Sequence, residues 1–214
     1  MTNSPPPAPD PRLSAGAARL ALRYDGTFAP ETVQRLLHDS YRLLAEGATV
    51  RAHLVVLAER LADERLAALA HTGAPATSDA PRVLFVCTGN AGRSQLAAAI
   101  LAHLAKGAVL VYSAGTRPAV DLDTHIAEVL AEAGVPLPEN VFPKPLTEEV
   151  VAAADVVVTM GCGDACPIPA GRRYLDWPVP DPDGAPIERV RAIRDQIGSR
   201  VQALIADLVP AQPK

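Results

Sequence analysis

The chain holds 214 residues, 49% hydrophobic and 21% charged, which suffices for one full domain plus a smaller one and excludes wholesale disorder. With 20 basic against 24 acidic side chains the formal charge is −4, and aromatics are 4%, so no nucleic-acid partner is expected. No apolar run reaches the ~18 residues that cross a bilayer, and the opening MTNSPPPAPDPR lacks the basic and apolar regions of a secretory signal, so a cytoplasmic protein with no membrane partner is expected. The 3 cysteines, an odd number in a reducing compartment, point to chemistry rather than to a disulfide framework.

Residues 1–12 are proline-rich and read as a disordered tail. From Pro30 onward, Val33, Leu36, Leu37, Tyr41 and Leu44 recur at spacings of three and four, the stripe of an amphipathic helix that Gly47 ends. Thr49 is expected to cap a second helix with Val50, Leu54 and Leu57, and a third carries Leu61, Leu66 and Leu69. Residues 13–75 thus read as a three-helix domain, with 76–81 as linker. Three short helices bury little surface, so this unit is expected to form a homodimer; the alternative is a lid on the larger domain.

Residues 82–210 alternate strands with helices. Runs at 83–87, 109–113, 156–160 and near 174–177 read as strands, and residues 187–208 as a long C-terminal helix. The expected fold is α/β: a four-stranded parallel sheet flanked by helices, with its ligand site at the carboxyl ends of the strands.

Cys87 closes the first of these strands, and CTGNAGRS leads into a helix. Gly89 and Gly92 let the backbone curl so that successive N–H groups point inward, and the helix start adds partial positive charge. Arg93 offers a planar fork to two oxygens of a tetrahedral anion. Thr88, Gly89, Asn90, Ala91, Gly92 and Arg93 are therefore the expected oxyanion-binding residues, with Asn90 suited to a left-handed turn. Cys87 sits beneath the anion as nucleophile, its thiolate favoured by the same dipoles and by the Ser94 hydroxyl. A buried, inert cysteine is the alternative. The Gly-Lys-Ser/Thr ending of a nucleotide-binding loop is missing.

Cys-x5-Arg-Ser after a first strand, SAGT at Ser113–Thr116 and Asp181–Pro182, in that order, resemble the low-molecular-weight phosphotyrosine phosphatase superfamily over about residues 82–208. The resemblance implies a general acid at Asp181, with Asp183 as its local competitor, and a Ser113 hydroxyl that supports Asn90.

Cys162 and Cys166 lie four apart just beyond the third strand, at the same sheet edge as Cys87. The segment VVTMGCGDACP resembles the redox segment of thioredoxin-coupled arsenate reductases in that superfamily. This implies reduction of arsenate to arsenite for arsenic resistance, by a relay from Cys87 to Cys162 to Cys166 with thioredoxin as partner. The order of the last two sulfurs comes from the resemblance, since spacing leaves it open. Gly92 departs from relatives that carry a second cysteine in the loop. Phosphatase activity through Cys87, Arg93 and Asp181, or turnover by a low-molecular-weight thiol, are the alternatives, and an oxyanion sensor is a third. No cofactor or metal site is expected; His38, His103 and His125 read as structural or solvent-facing.

Overall fold

The structure, a computed structural model, describes residues 11–47, 53–73, 80–138, 141–162 and 171–209. These divide into two compact units, with the boundary after Ala70.

The first unit is built on three helices: α1 (Pro11–Arg23), α2 (Pro30–Gly47) and α3 (Leu54–Gly73). Three helices are expected from the sequence, but they are not the same three. The tail expected over residues 1–12 gives way at Pro11 to α1, a helix that the sequence pattern did not single out. Proline suits a first helical position, where its missing N–H would have had no partner, and Pro30 opens α2 in the same way. The second and third expected helices are one, because the stretch from Leu57 to Leu61 contains no glycine or proline to break it. Thr49 and Val50 lie outside the described residues, as do linker residues 76–79.

Leu13 and Leu20 of α1, Val33, Leu36 and Leu37 of α2, and Val55, Ala58, Ala62 and Leu66 of α3 form this unit's core. Charged pairs fix the helices around it. Arg19 donates to both Glu59 oxygens at 2.8 and 2.6 Å. The Tyr24 hydroxyl donates to Asp63 Oδ1 at 2.9 Å. Buried Arg65 reaches Ser40 Oγ at 3.0 Å and Asp39 Oδ2 at 2.9 Å.

The second unit holds the expected parallel sheet. Its strands are β1 (Arg82–Cys87), β2 (Leu110–Gly115), β3 (Val156–Met160) and β4 (Arg173–Asp176), in the order β2-β1-β3-β4. All pairings are parallel. Helices α4 (Arg93–Ala105), α5 (Ile126–Glu132), α6 (Glu148–Ala153) and α7 (Ile187–Leu208) complete the unit. Strands β1 and β3 are buried throughout, as expected of runs of valine, leucine and phenylalanine covered on both faces. Phe85 meets Trp177 with ring centroids 5.7 Å apart, and Val190, Ile193, Ile197, Val201 and Leu204 of α7 join the same core as Leu96 and Leu101 of α4. Among the described residues no helix is long and apolar enough to cross a membrane.

Because β1 is central, with β2 on one side and β3 on the other, the chain departs in opposite directions from neighbouring strand ends. A crevice opens at that point. Register sets what faces it: Cys87 pairs with Gly115 of β2 and with Met160 of β3. A Cβ on Gly115 would come within 2.8 Å of Thr88 O and 3.0 Å of Asn90 N, so the segment after Cys87 rests directly on bare backbone. Gly115→Ala is therefore expected to destabilise the protein by about 1–3 kcal/mol through overpacking, measured by chemical denaturation.

Candidate active site

The loop from Cys87 to Gly92 is shaped from outside. The carbonyl oxygens of Cys87, Thr88, Gly89 and Ala91 accept from the N–H groups of Thr116, Arg117, Ala119 and Asp123, at 2.8–3.1 Å. Asn90 O accepts from Gln95 Nε2 at 3.0 Å. The chain has no cis peptide bond among the described residues. In a planar trans peptide the N–H points opposite to the carbonyl, so five carbonyls facing outward leave the N–H groups of residues 88–92 on the concave side. One of them, Asn90 N, donates to Cys87 Sγ at 3.2 Å. The curl turns at Asn90, whose φ of 49° is left-handed, a conformation asparagine tolerates better than most residues. Helix α4 begins at Arg93 and adds its positive end to the same cradle.

Around the sulfur the hydrogen bonds have a definite direction. Lys144 N–H can only donate, and it meets Asn90 Oδ1 at 2.8 Å. The other end of that amide is therefore Nδ2, which donates to Ser94 Oγ at 2.8 Å. With its oxygen accepting there, the Ser94 hydroxyl, 3.0 Å from Cys87 Sγ, has its proton available to a Cys87 thiolate, which can only accept. The Asn90 N–H and the Ser94 hydroxyl thus both meet the sulfur of a buried cysteine that is a free thiol.

Arg93 is buried, and its Nη2 donates to Asp181 Oδ2 at 2.6 Å. Its Nη1 reaches Val179 O at 3.4 Å, and its buried Nε has no hydrogen-bond partner among the described residues. An unpaired buried guanidinium donor is costly unless a ligand supplies the acceptor. Asp181 is half in solvent, at 57% side-chain exposure, and so reaches both the arginine and bulk water. Asp183 sends only its backbone N–H toward Asp181 Oδ1, at 3.4 Å, although it too lines the crevice.

The crevice is a cavity of about 480 Å³. Its floor is Cys87, Thr88, Gly89, Ala91, Gly92 and Arg93, and Asp181–Gly184 flank it. Asn90 and Ser94 are fully buried and act on the sulfur from below rather than lining the space. The remaining wall, Asp121–Thr124, was not identified from sequence. The rule that places ligands at carboxyl strand ends would have found it, because this segment leaves β2 there.

Ser113 is not where the resemblance implied. The Asn90 side chain bonds to Lys144, Gln95 and Ser94, and no bond joins it to Ser113. Ser113 pairs with Phe85, two residues below Cys87 in the register, and so lies too deep in the sheet. Its place is taken by Gln95 and the backbone of the 142–146 segment, for which the sequence carries no distinctive signal.

Cys162 lies two residues beyond Met160, the register partner of Cys87, and is buried and disulfide-bonded. Cys166 lies outside the described residues. Gly161, before Cys162, has φ 72°, and a Cβ there would sit 2.5 Å from Arg93 Nη1. Its carbonyl accepts from Thr88 Oγ1 at 3.2 Å. The residue preceding Cys162 thus touches both the arginine and the loop of the cradle. On the far side, a Cβ on Gly92 would strike Pro182 Cγ at 2.4 Å, so the glycine at that loop position lets the Asp181 segment close in.

Similar proteins bear on this geometry. Residues 13–70 match the protein-tyrosine-phosphatase-like N-terminal domain. A solved thioredoxin-dependent arsenate reductase of Corynebacterium glutamicum, Cg_ArsC1', is 42% identical, with 94% of this chain and 97% of that one covered and a TM-score of 0.81. A putative arsenate reductase of Halobacterium salinarum is 34% identical over 131 residues, 59% of this chain and 92% of its own length. The YwlE arginine phosphatase of Geobacillus stearothermophilus is 30% identical over 60% of this chain and 92% of its own, with a TM-score of 0.52. Residues 82–212 match low molecular weight phosphotyrosine protein phosphatase, and with the cradle built as described the chain belongs to that family.

Proposed function

We propose that this protein reduces arsenate to arsenite through a relay of three cysteines regenerated by thioredoxin. The observation that carries the reading is the pairing of a free, doubly hydrogen-bonded Cys87 thiol in an anion cradle with a disulfide-bonded Cys162 at the adjacent strand end.

Arsenate enters the cradle and meets the inward N–H groups and Arg93, which exchanges Asp181 for the anion. The Cys87 thiolate attacks arsenic(V), and an arsenate oxygen leaves as water, protonated by Asp181. The Cys162 thiolate then attacks Cys87 Sγ. A Cys87–Cys162 disulfide forms, the sulfur–arsenic bond breaks, and its electron pair stays on arsenic, which leaves as arsenite. Cys166 attacks Cys162 Sγ, frees Cys87 and leaves a Cys162–Cys166 disulfide. A thioredoxin dithiol reduces it by ordinary exchange. Phosphate in the same cradle ends at hydrolysis, because thiols do not reduce phosphorus(V).

The relatives support the reading, since the Corynebacterium enzyme is thioredoxin-dependent and matches nearly this whole chain. Hydrolysis of phosphomonoesters is the second reading, favoured by the direct bond between Arg93 and Asp181, which needs neither Cys162 nor Cys166. We also assign to the helical unit the pairing of two copies of the chain, on the ground that three short helices bury little surface alone.

Arsenate-dependent NADPH oxidation in the presence of thioredoxin and its reductase is expected, and a small-thiol control should not replace them. Cys162→Ser should lose that turnover while still binding phosphate. Turnover of an aryl phosphate without reductant, with no arsenite formed, would establish the hydrolase instead. Asp181→Asn is expected to lower kcat by about 10²–10⁴-fold without weakening phosphate binding, because Arg93 loses a competitor; steady-state kinetics and calorimetric titration read the two. Sedimentation of the full chain at its monomer mass would overturn the pairing of copies.

A further inference from the structure

None of the relay steps uses Gln95, yet it is among the most constrained polar side chains of the second unit. It follows Ser94 in the first turn of α4 and is 4% exposed. Its Nε2 lies 3.0 Å from Asn90 O, 3.0 Å from Asn90 Oδ1 and 3.2 Å from Phe142 O. Two N–H groups are thus shared among three acceptors on two separate segments, the two Asn90 oxygens buried and Phe142 O partly so.

We infer that Gln95 is a positioning residue for Cys87, holding the peptide that follows the left-handed Asn90 and the polarity of the Asn90 side chain, and through them an inward N–H of the cradle and the Ser94 contact with the sulfur. The backbone effect is direct. Asn90 O is held by Gln95 Nε2 alone among the described contacts, and it belongs to the peptide next to the φ of 49°. Without that donor a buried carbonyl is left unpaired, and the strained residue can relax only by rotating. Rotation of that peptide carries its other end, the Ala91 N–H, off the concave side of the loop.

The side-chain effect runs through protons. Gln95 Nε2 and Lys144 N both donate to Asn90 Oδ1, which keeps Nδ2 on Ser94 Oγ and so leaves the Ser94 proton available to a Cys87 thiolate. Gln95 also ties this network to Phe142. The segment beyond it exchanges bonds with Gly115, from Gly115 N to Lys144 O at 2.8 Å and from Leu146 N to Gly115 O at 2.9 Å. Gln95 thus joins Lys144 N in referencing the cradle's inner face to the end of β2.

The inference rests on Cys87 as nucleophile and not on the fate of the adduct it forms, so the test reads Cys87 without turnover. In the full-length chain carrying Cys162→Ser and Cys166→Ser, Cys87 is the one thiol. Its alkylation by iodoacetamide is monitored at mildly acidic pH, with inorganic phosphate as protectant. Gln95→Met keeps the volume and loses the donors; Gln95→Glu keeps the shape and loses them as well. Both are expected to alkylate about threefold more slowly. This is the net of roughly tenfold less thiolate and its partly compensating nucleophilicity. The phosphate needed for half-protection should rise about tenfold. Gln95→Lys, which restores a donor, should recover most of both. A merely structural role would lower the melting temperature and leave these readings of the folded protein unchanged. A folded Met or Glu variant that alkylates and is protected like the parent overturns the inference. Failure of phosphate to protect the parent itself would instead overturn the assignment of the loop as an anion cradle.

Discussion

The site depends on five peptide carbonyls being held away from it. A loop of six residues cannot by itself keep its N–H groups concentrated on one side, because the free carbonyls would seek the same space. Here the segment leaving β2 supplies four donors in succession, from Thr116, Arg117, Ala119 and Asp123, and Gln95 supplies the fifth. The electropositive hollow above Cys87 is thus maintained by a second layer of chain wrapped around its outer edge. Rigid dipoles of this kind need no reorganisation when charge develops on a bound oxyanion, which is where most of their catalytic value lies.

The sheet makes that wrapping possible. The parallel register brings Gly115 beside Cys87, and the absence of a side chain there lets the loop settle on the backbone of β2. On the opposite side, the register of Cys87 with Met160 brings Gly161 and Cys162 to the cradle's other margin. One strand end therefore borders the cradle of inward N–H groups on one flank and Cys162 on the other. Arg93 links them through its contacts with Asp181, Val179 and Gly161.

Much of this could be read in the chain. The cradle was legible because glycine spacing, Arg93 and the strand–loop–helix setting are local and physically specific. The strands were legible because buried parallel strands are plain apolar runs. The helical unit was less so: a proline at position 11 reads equally as a tail or as a first helical turn, and only packing of Leu13 and Leu20 decides between them. Gln95, Lys144 and the Asp121–Thr124 wall escaped for a different reason. Their part is set by tertiary approach, and two of the three contacts at Asn90 Oδ1 and Phe142 involve backbone groups that any residue type carries. The misplacement of Ser113 has the same origin, since motif order gives no information on depth within a sheet.

The contact between Gly92 and Pro182 ties two segments 90 positions apart into one unit of inheritance. A side chain at the first position and a proline ring at the second would claim the same volume. In this chain a cysteine at position 92 would therefore require the turn at Asp181–Pro182 to ride farther out.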